Sequence, residues 1–254
     1  MNVAVLVKYI PNPEGTPEMG PDFRLKREGV EGGLDPGDEH GVEAALQLVG
    51  SDGEVTVVTM GPEPAVGALR RALSMGGHRA IHIVDDALKG ADALATARVL
   101  AATLKRSRYD LIIGGVESTD GSTGTLPMTV AEFLGIPSVT FTKHLEIKDG
   151  TLLAQRQTEA GYDEVESALP AVVTVTAGAN EPRYPTLKGI MQAKQKPMEK
   201  LAVDDLGLSA DDIKATQEVL GIEPVPAKEG GEILEAGEEA PAKVVELLVK
   251  AKVI

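Results

Sequence analysis

The strongest constraint on the fold is an alternation of short apolar runs with longer amphipathic stretches. Residues 3–7, 55–60, 80–84 and 111–113 are runs of strand length. The stretches between them repeat their apolar residues at helical spacing, the pattern of strands that cross over through helices into a buried parallel sheet. Asp35-Pro36-Gly37-Asp38 introduces one such helix, in which Val42, Ala45, Leu46 and Val49 share a face. A second carries Val66, Leu69 and Leu73 inward and stops at Gly76. Asp92 caps a third, running to about residue 105, and a fourth spans about residues 125–134 before Gly135-Ile136-Pro137.

Beyond Pro137 the period becomes alternation. Residues 144–148, a Lys148-Asp149-Gly150 turn, and residues 151–157, 164–167 and 172–175 read as antiparallel strands that extend the sheet. The expected fold is therefore α/β: a Rossmann-like open, mostly parallel sheet with an antiparallel extension and a C-terminal arm. The main α/β domain is expected over residues 1–195 and the arm over residues 196–254. Within the arm, residues 221–241 have the Pro, Gly and Glu content of a linker, and residues 242–251 form an amphipathic helix bearing Val244, Val245, Leu247 and Leu248. The arm has too little apolar surface to fold alone, so it packs on the main domain or on a partner.

Composition narrows the function. The 254 residues carry a formal charge of −14, which repels a polyphosphate backbone and excludes nucleic acid as the natural partner. Aromatics are 3% of the chain, so the core falls to Ala, Val, Leu and Ile. There is no cysteine, which removes disulfides, thiolate metal sites and Cys nucleophiles, and any redox work needs an organic cofactor. No apolar stretch reaches membrane-spanning length and the first residues lack a signal-peptide pattern, so a cytoplasmic protein without membrane insertion is expected.

Two stretches could carry chemistry. Gly114-Gly115-Val116-Glu117-Ser118-Thr119-Asp120-Gly121-Ser122-Thr123-Gly124-Thr125-Leu126 follows a strand and opens a helix. There Gly121 and Gly124 would let the backbone approach a phosphate while free N–H groups and hydroxyls donate to it. The competing reading is that these glycines serve only tight turns. Leu6 to Pro11, the Met60-Gly61-Pro62 turn and the Asp35 to Asp38 segment should reach the same edge. Neither G-x-x-x-x-G-K-[ST] nor G-x-G-x-x-G is present, and there is no G-x-S-x-G elbow. His40, His78, His82 and His144 are scattered without ligand spacing and are expected to be structural or superficial, so neither a metal site nor a catalytic residue is assigned.

The second stretch, Asn180-Glu181-Pro182-Arg183-Tyr184-Pro185-Thr186-Leu187-Lys188-Gly189-Ile190-Met191-Gln192-Ala193-Lys194, sets apolar residues into a loop stiffened by two prolines. It reads either as a docking device, since a rigid loop loses little entropy on binding, or as a loop whose Leu187 tucks into its own domain.

At this point a resemblance becomes specific. Leu169-Pro170-Ala171-Val172-Val173-Thr174-Val175, the Asn180-to-Leu187 stretch and Ile190-Met191-Gln192-Ala193-Lys194 resemble the signature of electron transfer flavoprotein beta subunits. Val5-Leu6-Val7-Lys8, Ile10-Pro11 and Ala72-Leu73-Ser74-Met75-Gly76 extend the resemblance to about residue 200. It implies a non-enzymatic electron carrier: a heterodimer with an alpha subunit, FAD shared with that subunit, and AMP buried in the beta chain. AMP would lie against Leu6, Asp35, Pro36, Gly37, Asp38, Met60 and the stretch from Gly115 to Leu126. The loop Tyr184, Pro185, Thr186, Leu187, Lys188, Gly189, Ile190 and Met191 would hold flavin-dependent dehydrogenases such as acyl-CoA dehydrogenase, with Leu187 as anchor. Asp163 takes the place of an acidic residue near the mobile flavin domain, the arm would pack on the alpha subunit, and a membrane quinone oxidoreductase would receive the electrons.

Many members carry Lys-Gln-Ala-Ile-Asp-Gly-Asp-Thr after the glycine where this chain has Val116 to Thr123. That departure bears on individual AMP contacts and weighs against a bifurcating relative with a second FAD in place of AMP. The chain is also compatible with an ATP-binding regulator or hydrolase resembling universal stress proteins, or with a scaffold whose acidic tail binds another subunit.

Overall fold

The computed structural model describes residues 1–27, 29–223, 225–226 and 233–254. The chain divides into two compact units, Met1–Leu220 and Gly221–Ile254.

Strand β1 (Asn2–Leu6) is the axis of the first unit. Successive side chains of a strand point to opposite faces. Here both faces are covered: Val3 and Val5 enter one core, Ala4 and Leu6 the other. A short antiparallel pair, β2 (Tyr9–Pro11) and β3 (Gly32–Leu34), leads into α1 (Pro36–Val49). Asp35 caps that helix by accepting a hydrogen bond from Gly37 N at 2.9 Å, and Pro36 occupies the first turn, where its missing N–H costs nothing. β4 (Glu54–Met60), α2 (Val66–Met75) and β5 (Arg79–Ile83) follow. Then come α3 (Ala93–Leu104), capped by Asp92, β6 (Leu111–Gly115) and α4 (Leu126–Leu134), which ends at Gly135 in the left-handed conformation.

One core holds Val42 and Ala45 of α1 and Leu69 and Leu73 of α2 with Val3, Val5, Val55 and Val57. The other holds Ala97, Leu100 and Leu104 of α3 and Val130 of α4 with Ala4, Val58, Ile81 and Ile112. A fully buried Leu or Val contributes about 1.5–3 kcal/mol relative to exposure, so these two cores dominate the unit's stability.

The remaining elements of this unit are β7 (Ser138–Lys148), β8 (Thr151–Thr158), β9 (Gly161–Ala168), β10 (Ala171–Val175), α5 (Leu187–Ala193), β11 (Met198–Leu201) and α6 (Ala210–Ile213). The main sheet has nine strands in the order β11-β5-β4-β1-β6-β10-β7-β8-β9. Every neighbouring pair from β11 to β7 is parallel, and β7-β8-β9 is an antiparallel extension. The open, mostly parallel α/β sheet is thus as the sequence indicates.

Two details differ from expectation. Residues 172–175 do not extend the antiparallel ribbon: β10 returns between β6 and β7 and runs parallel to both. All five of its residues are buried, as suits an internal strand, and its run of Ala and Val lacks the alternation of its neighbours. The second concerns the boundary at residue 195. β11 pairs with β5, and Leu201, Val203 and Ile213 join the core under α3, so residues 196–220 belong to the first unit.

In the second unit, residues 224 and 227–232 of the expected linker lie outside the described residues. Its helix α7 (Ala240–Lys250) exposes Val244, Val245, Leu247 and Leu248 together.

Candidate functional site

From β1 the chain moves outward through β4 to β5, then resumes on the other side of β1 with β6. Connections leaving adjacent strands in opposite directions open a crevice at their carboxyl ends. A cavity of about 930 Å³ lies there. Leu6, Val7 and Lys8 follow or end β1, Met60 and Gly61 end β4, and Gly114 and Gly115 end β6; all stand in its wall. Ala91, Asp92, Ala93 and Thr96 add the N-terminus of α3.

Of the residues expected to bind a nucleotide, Leu6, Asp38, Met60, Gly115, Val116, Glu117, Ser118, Gly121, Thr123, Gly124 and Leu126 line this cavity. Asp35, Pro36, Gly37, Thr119, Asp120, Ser122 and Thr125 do not, and two of these act from behind the wall. Asp35, fully buried, accepts from Thr119 N at 2.7 Å and Thr119 Oγ1 at 3.0 Å, tying the glycine-rich loop to the start of α1. Asp120 takes Lys8 Nζ at 2.7 Å and also pairs with Arg27. Burial works to raise the pKa of Asp120, but the Lys8 hydrogen bond and the charges of Lys8 and Arg27 hold it below the usual carboxylate value.

Asp38 is the opposite case. Its Oδ2 accepts from Lys8 N at 2.7 Å, and burial, with the charge of Asp35 adding to it, pushes its pKa up to about 8 against the opposing backbone hydrogen bonds from Lys8 and Gly115. A group with that pKa is mostly neutral at pH 7. Of these two acids at the cavity, one is paired and the other uncharged, so neither repels an anion strongly.

Arg27, Gly29, Val30 and Gln217 also line the wall, although nothing in their sequence context marks them, and so does Lys8. Lys8 carries a usable signal, a cation directly after a buried strand. Arg27 carries none, because it reaches the site from a loop remote in sequence. Asp92, a helix cap by its position in the sequence, also accepts from Thr216 N at 2.6 Å, holding the 216–217 segment at the rim.

The second candidate region leaves the carboxyl end of β10. Its base is fastened to α1: Arg183 Nε and Nη2 donate to Glu43 Oε2 and Oε1 at 2.7 and 3.0 Å, and Asn180 Nδ2 donates to His40 O at 3.0 Å. Burial works to raise the pKa of Glu43, but the hydrogen bonds from Arg183 and Gln47 and the Arg183 charge leave it below its ordinary value. Past this clamp the apolar residues turn outward. Tyr184 is 87% exposed, Leu187 77% and Met191 66%, so Leu187 does not tuck into its own domain. Thr186 caps α5 by accepting from Gly189 N at 3.0 Å. On the inner side, a Cβ at Gly189 would stand 2.5 Å from Ser74 O, so only glycine lets α5 sit this close to α2.

The remaining assignments separate. Asp163 is on β9, the edge strand, opposite Arg156, and is not in the cavity wall. His82 is buried with Nε2 at 3.0 Å from Gly61 O, and His78 Nδ1 accepts from Val55 N at 3.0 Å. Both are structural. Among the described residues no group of acids and histidines could hold a metal ion, and no helix is long and apolar enough to cross a membrane.

The family model described as the electron transfer flavoprotein domain matches residues 22–206. Proteins named electron transfer flavoprotein subunit beta match along nearly their whole length. The Mycobacterium tuberculosis protein is 39% identical over 264 residues, covering 100% of this chain and 99% of its own. The Bacillus subtilis protein is 38% identical, covering 91% of each, and that of Methylophilus methylotrophus 32% identical, covering 99% of each. The chain belongs to the electron transfer flavoprotein beta-subunit family.

Membership sets aside the resemblance to universal stress proteins. It also makes electron transport with a flavin, in company with an alpha subunit, the setting in which the cavity and the exposed segment are to be understood. The cavity meets the needs of a phosphate-bearing ligand. Cβ atoms at Gly115 and Gly121 would stand 2.8 Å from Asp38 Oδ1 and 3.0 Å from Ser118 Oγ, and the latter also 3.4 Å from Lys8 Nζ. Thr125 makes no side-chain cap at the start of α4, where Pro127 has no N–H of its own to satisfy.

Proposed function

We propose that this chain, with its alpha subunit, is an electron carrier rather than an enzyme. It takes electrons from flavin-dependent dehydrogenases such as acyl-CoA dehydrogenase and passes them to a membrane quinone oxidoreductase. FAD, held chiefly by the alpha subunit, supplies the redox chemistry when bound. This chain's own tasks are to bind AMP, to wall part of the flavin site and to hold the dehydrogenase.

The observation that carries this reading is the exposure of Leu187 and Met191 beyond a base clamped to α1. A rigid apolar projection loses little entropy on docking and offers the kind of anchor that dominates protein interfaces. For AMP, the phosphate falls to Lys8, Ser118, Thr123 and the backbone around Gly121 and Gly124. Glu117, exposed on the rim, suits ribose hydroxyls rather than a phosphate. Helix α7 packs its apolar stripe on the alpha subunit, and Asp163 faces the flavin domain. The cytoplasm is the compartment this division of labour fits.

Leu187→Ala in the alpha–beta protein tests the docking role. Flavin content should be retained, while the apparent affinity for acyl-CoA dehydrogenase falls by roughly 2 kcal/mol, about thirtyfold. Loss of flavin, or transfer at the unaltered rate, would contradict it.

A further inference from the structure

Resting on the docking role of Leu187, we propose that Glu43 is a positioning residue for electron transfer: through Arg183 it fixes the direction in which the apolar segment is presented to the dehydrogenase. Glu43 lies mid-way along α1, buried, and its hydrogen bonds come from Arg183 and Gln47 rather than from the apolar residues that project. Its carboxylate receives three hydrogen bonds from Arg183, one from the backbone N at 3.2 Å and two from the guanidinium, and Gln47 Nε2 donates a fourth at 2.9 Å. A planar fork on a carboxylate fixes orientation as well as distance. The backbone donation makes the grip a constraint on the chain itself, four residues before Leu187.

The placement is selective. At one end the segment is held by Glu43, with His40 O accepting from Asn180 three residues earlier. At the other end Lys196 Nζ donates to Leu73 O and Gly77 O at 2.9 and 2.6 Å, closing onto the C-terminus of α2. Glu39 of α1 in turn pairs with Arg71 of α2 at 2.8 Å, so both holding points belong to one braced pair of helices. Between them Tyr184, Leu187 and Met191 have no cover. α5 itself is seated on α2 at Gly189 and Ala193, so what the charged bidentate pair at Arg183 directs is the stretch from Arg183 into Leu187. Freed there, the loop must be ordered at each encounter, a cost that appears in association and not in the transfer step.

The test compares Glu43→Gln, Arg183→Lys, Leu187→Ala and the double variant Glu43→Gln/Leu187→Ala, each as the alpha–beta protein, with reduced acyl-CoA dehydrogenase as the varied donor. Glu43→Gln and Arg183→Lys should each raise KM by about three- to tenfold, the range that ordering one or two freed side chains gives, with kcat within a factor of about two. The double variant should be no worse than Leu187→Ala alone, because a misdirected anchor and a missing one are the same loss. If Leu187→Ala raises KM and both clamp variants leave it unchanged, the positioning role is overturned while the docking role stands. If Leu187→Ala has no effect, the docking role fails and this inference with it. A double variant whose losses multiply, or clamp variants that lower kcat or flavin content instead of raising KM, would show Glu43 to be merely structural. Arg183→Lys keeps the charge without the fork, so it stays informative if Glu43→Gln folds poorly.

Discussion

The glycine-rich loop after β6 and the apolar segment after β10 start alike and end differently. Both leave the carboxyl end of a buried parallel strand, and both are held by α1, one through Asp35 and Thr119, the other through Glu43 and Arg183. The first turns Ser118, Gly121, Thr123 and Gly124 toward a cavity, while the second turns its leucine and methionine away from the body. One helix thus braces both a concave site, with polar groups set in a largely apolar wall, and a convex, apolar one. The direction in which the side chains face, more than the scaffold beneath, separates a ligand site from a partner site.

If that comparison holds, damage to one region should leave the other working. The largest effect is expected from Gly115→Val, whose Cβ would meet Asp38 Oδ1 at 2.8 Å. Overpacking of this kind costs about 1–3 kcal/mol. The purified protein should melt earlier and carry less nucleotide, yet keep its affinity for the dehydrogenase; a parallel loss of docking, measured by donor KM, would break the separation.

A smaller effect is expected from Gly189→Ala, whose Cβ would meet Ser74 O at 2.5 Å and push α5 off α2. Donor KM should rise by about threefold, the equivalent of one disturbed interface contact, with nucleotide content unchanged. Equal KM in variant and wild type would mean that the seating of α5 does not matter to docking.

The smallest effect, and the one that sharpens the electrostatic picture, concerns Asp38. Its folded-state pKa of about 8 lies above the unfolded value of 3.8. The folded state therefore binds the proton more tightly, and the stability this gives is complete below pH 3.8 and lost as pH rises through about 8. Asp38→Asn cannot titrate. The melting temperature of the variant minus that of wild type should therefore climb between pH 5 and pH 8, whatever constant offset the lost acceptor adds. A flat difference would mean that Asp38 is ionised at neutral pH.

The fold was legible wherever one periodicity ruled a stretch. Val42, Ala45, Leu46 and Val49 on α1 and the caps Asp35 and Asp92 marked their elements because each signal is local. β10 misled because strand direction is set by the neighbours a segment finds, not by its own residues; only its unbroken Ala-Val run hinted at an internal position. β11 was missed for the same reason, since Met198-Glu199-Lys200-Leu201 gains strand character from pairing with β5. At the site, glycines and hydroxyls advertised the loop. Arg27 and Gln217 could not be foreseen, as nothing in a sequence shows which distant loop closes over a cavity. The exposure of Leu187 was open as well, because an apolar residue beside prolines is written the same way whether it folds in or out.

On the reading proposed above, the crevice between β1 and β6 holds a mononucleotide of this chain's own, apart from the flavin. Denaturing the purified alpha–beta protein and quantifying the released nucleotides by chromatography tests it most directly. AMP in near-equal amount to the chain, beside FAD, is the predicted result; FAD alone, whether one equivalent or two, would contradict it.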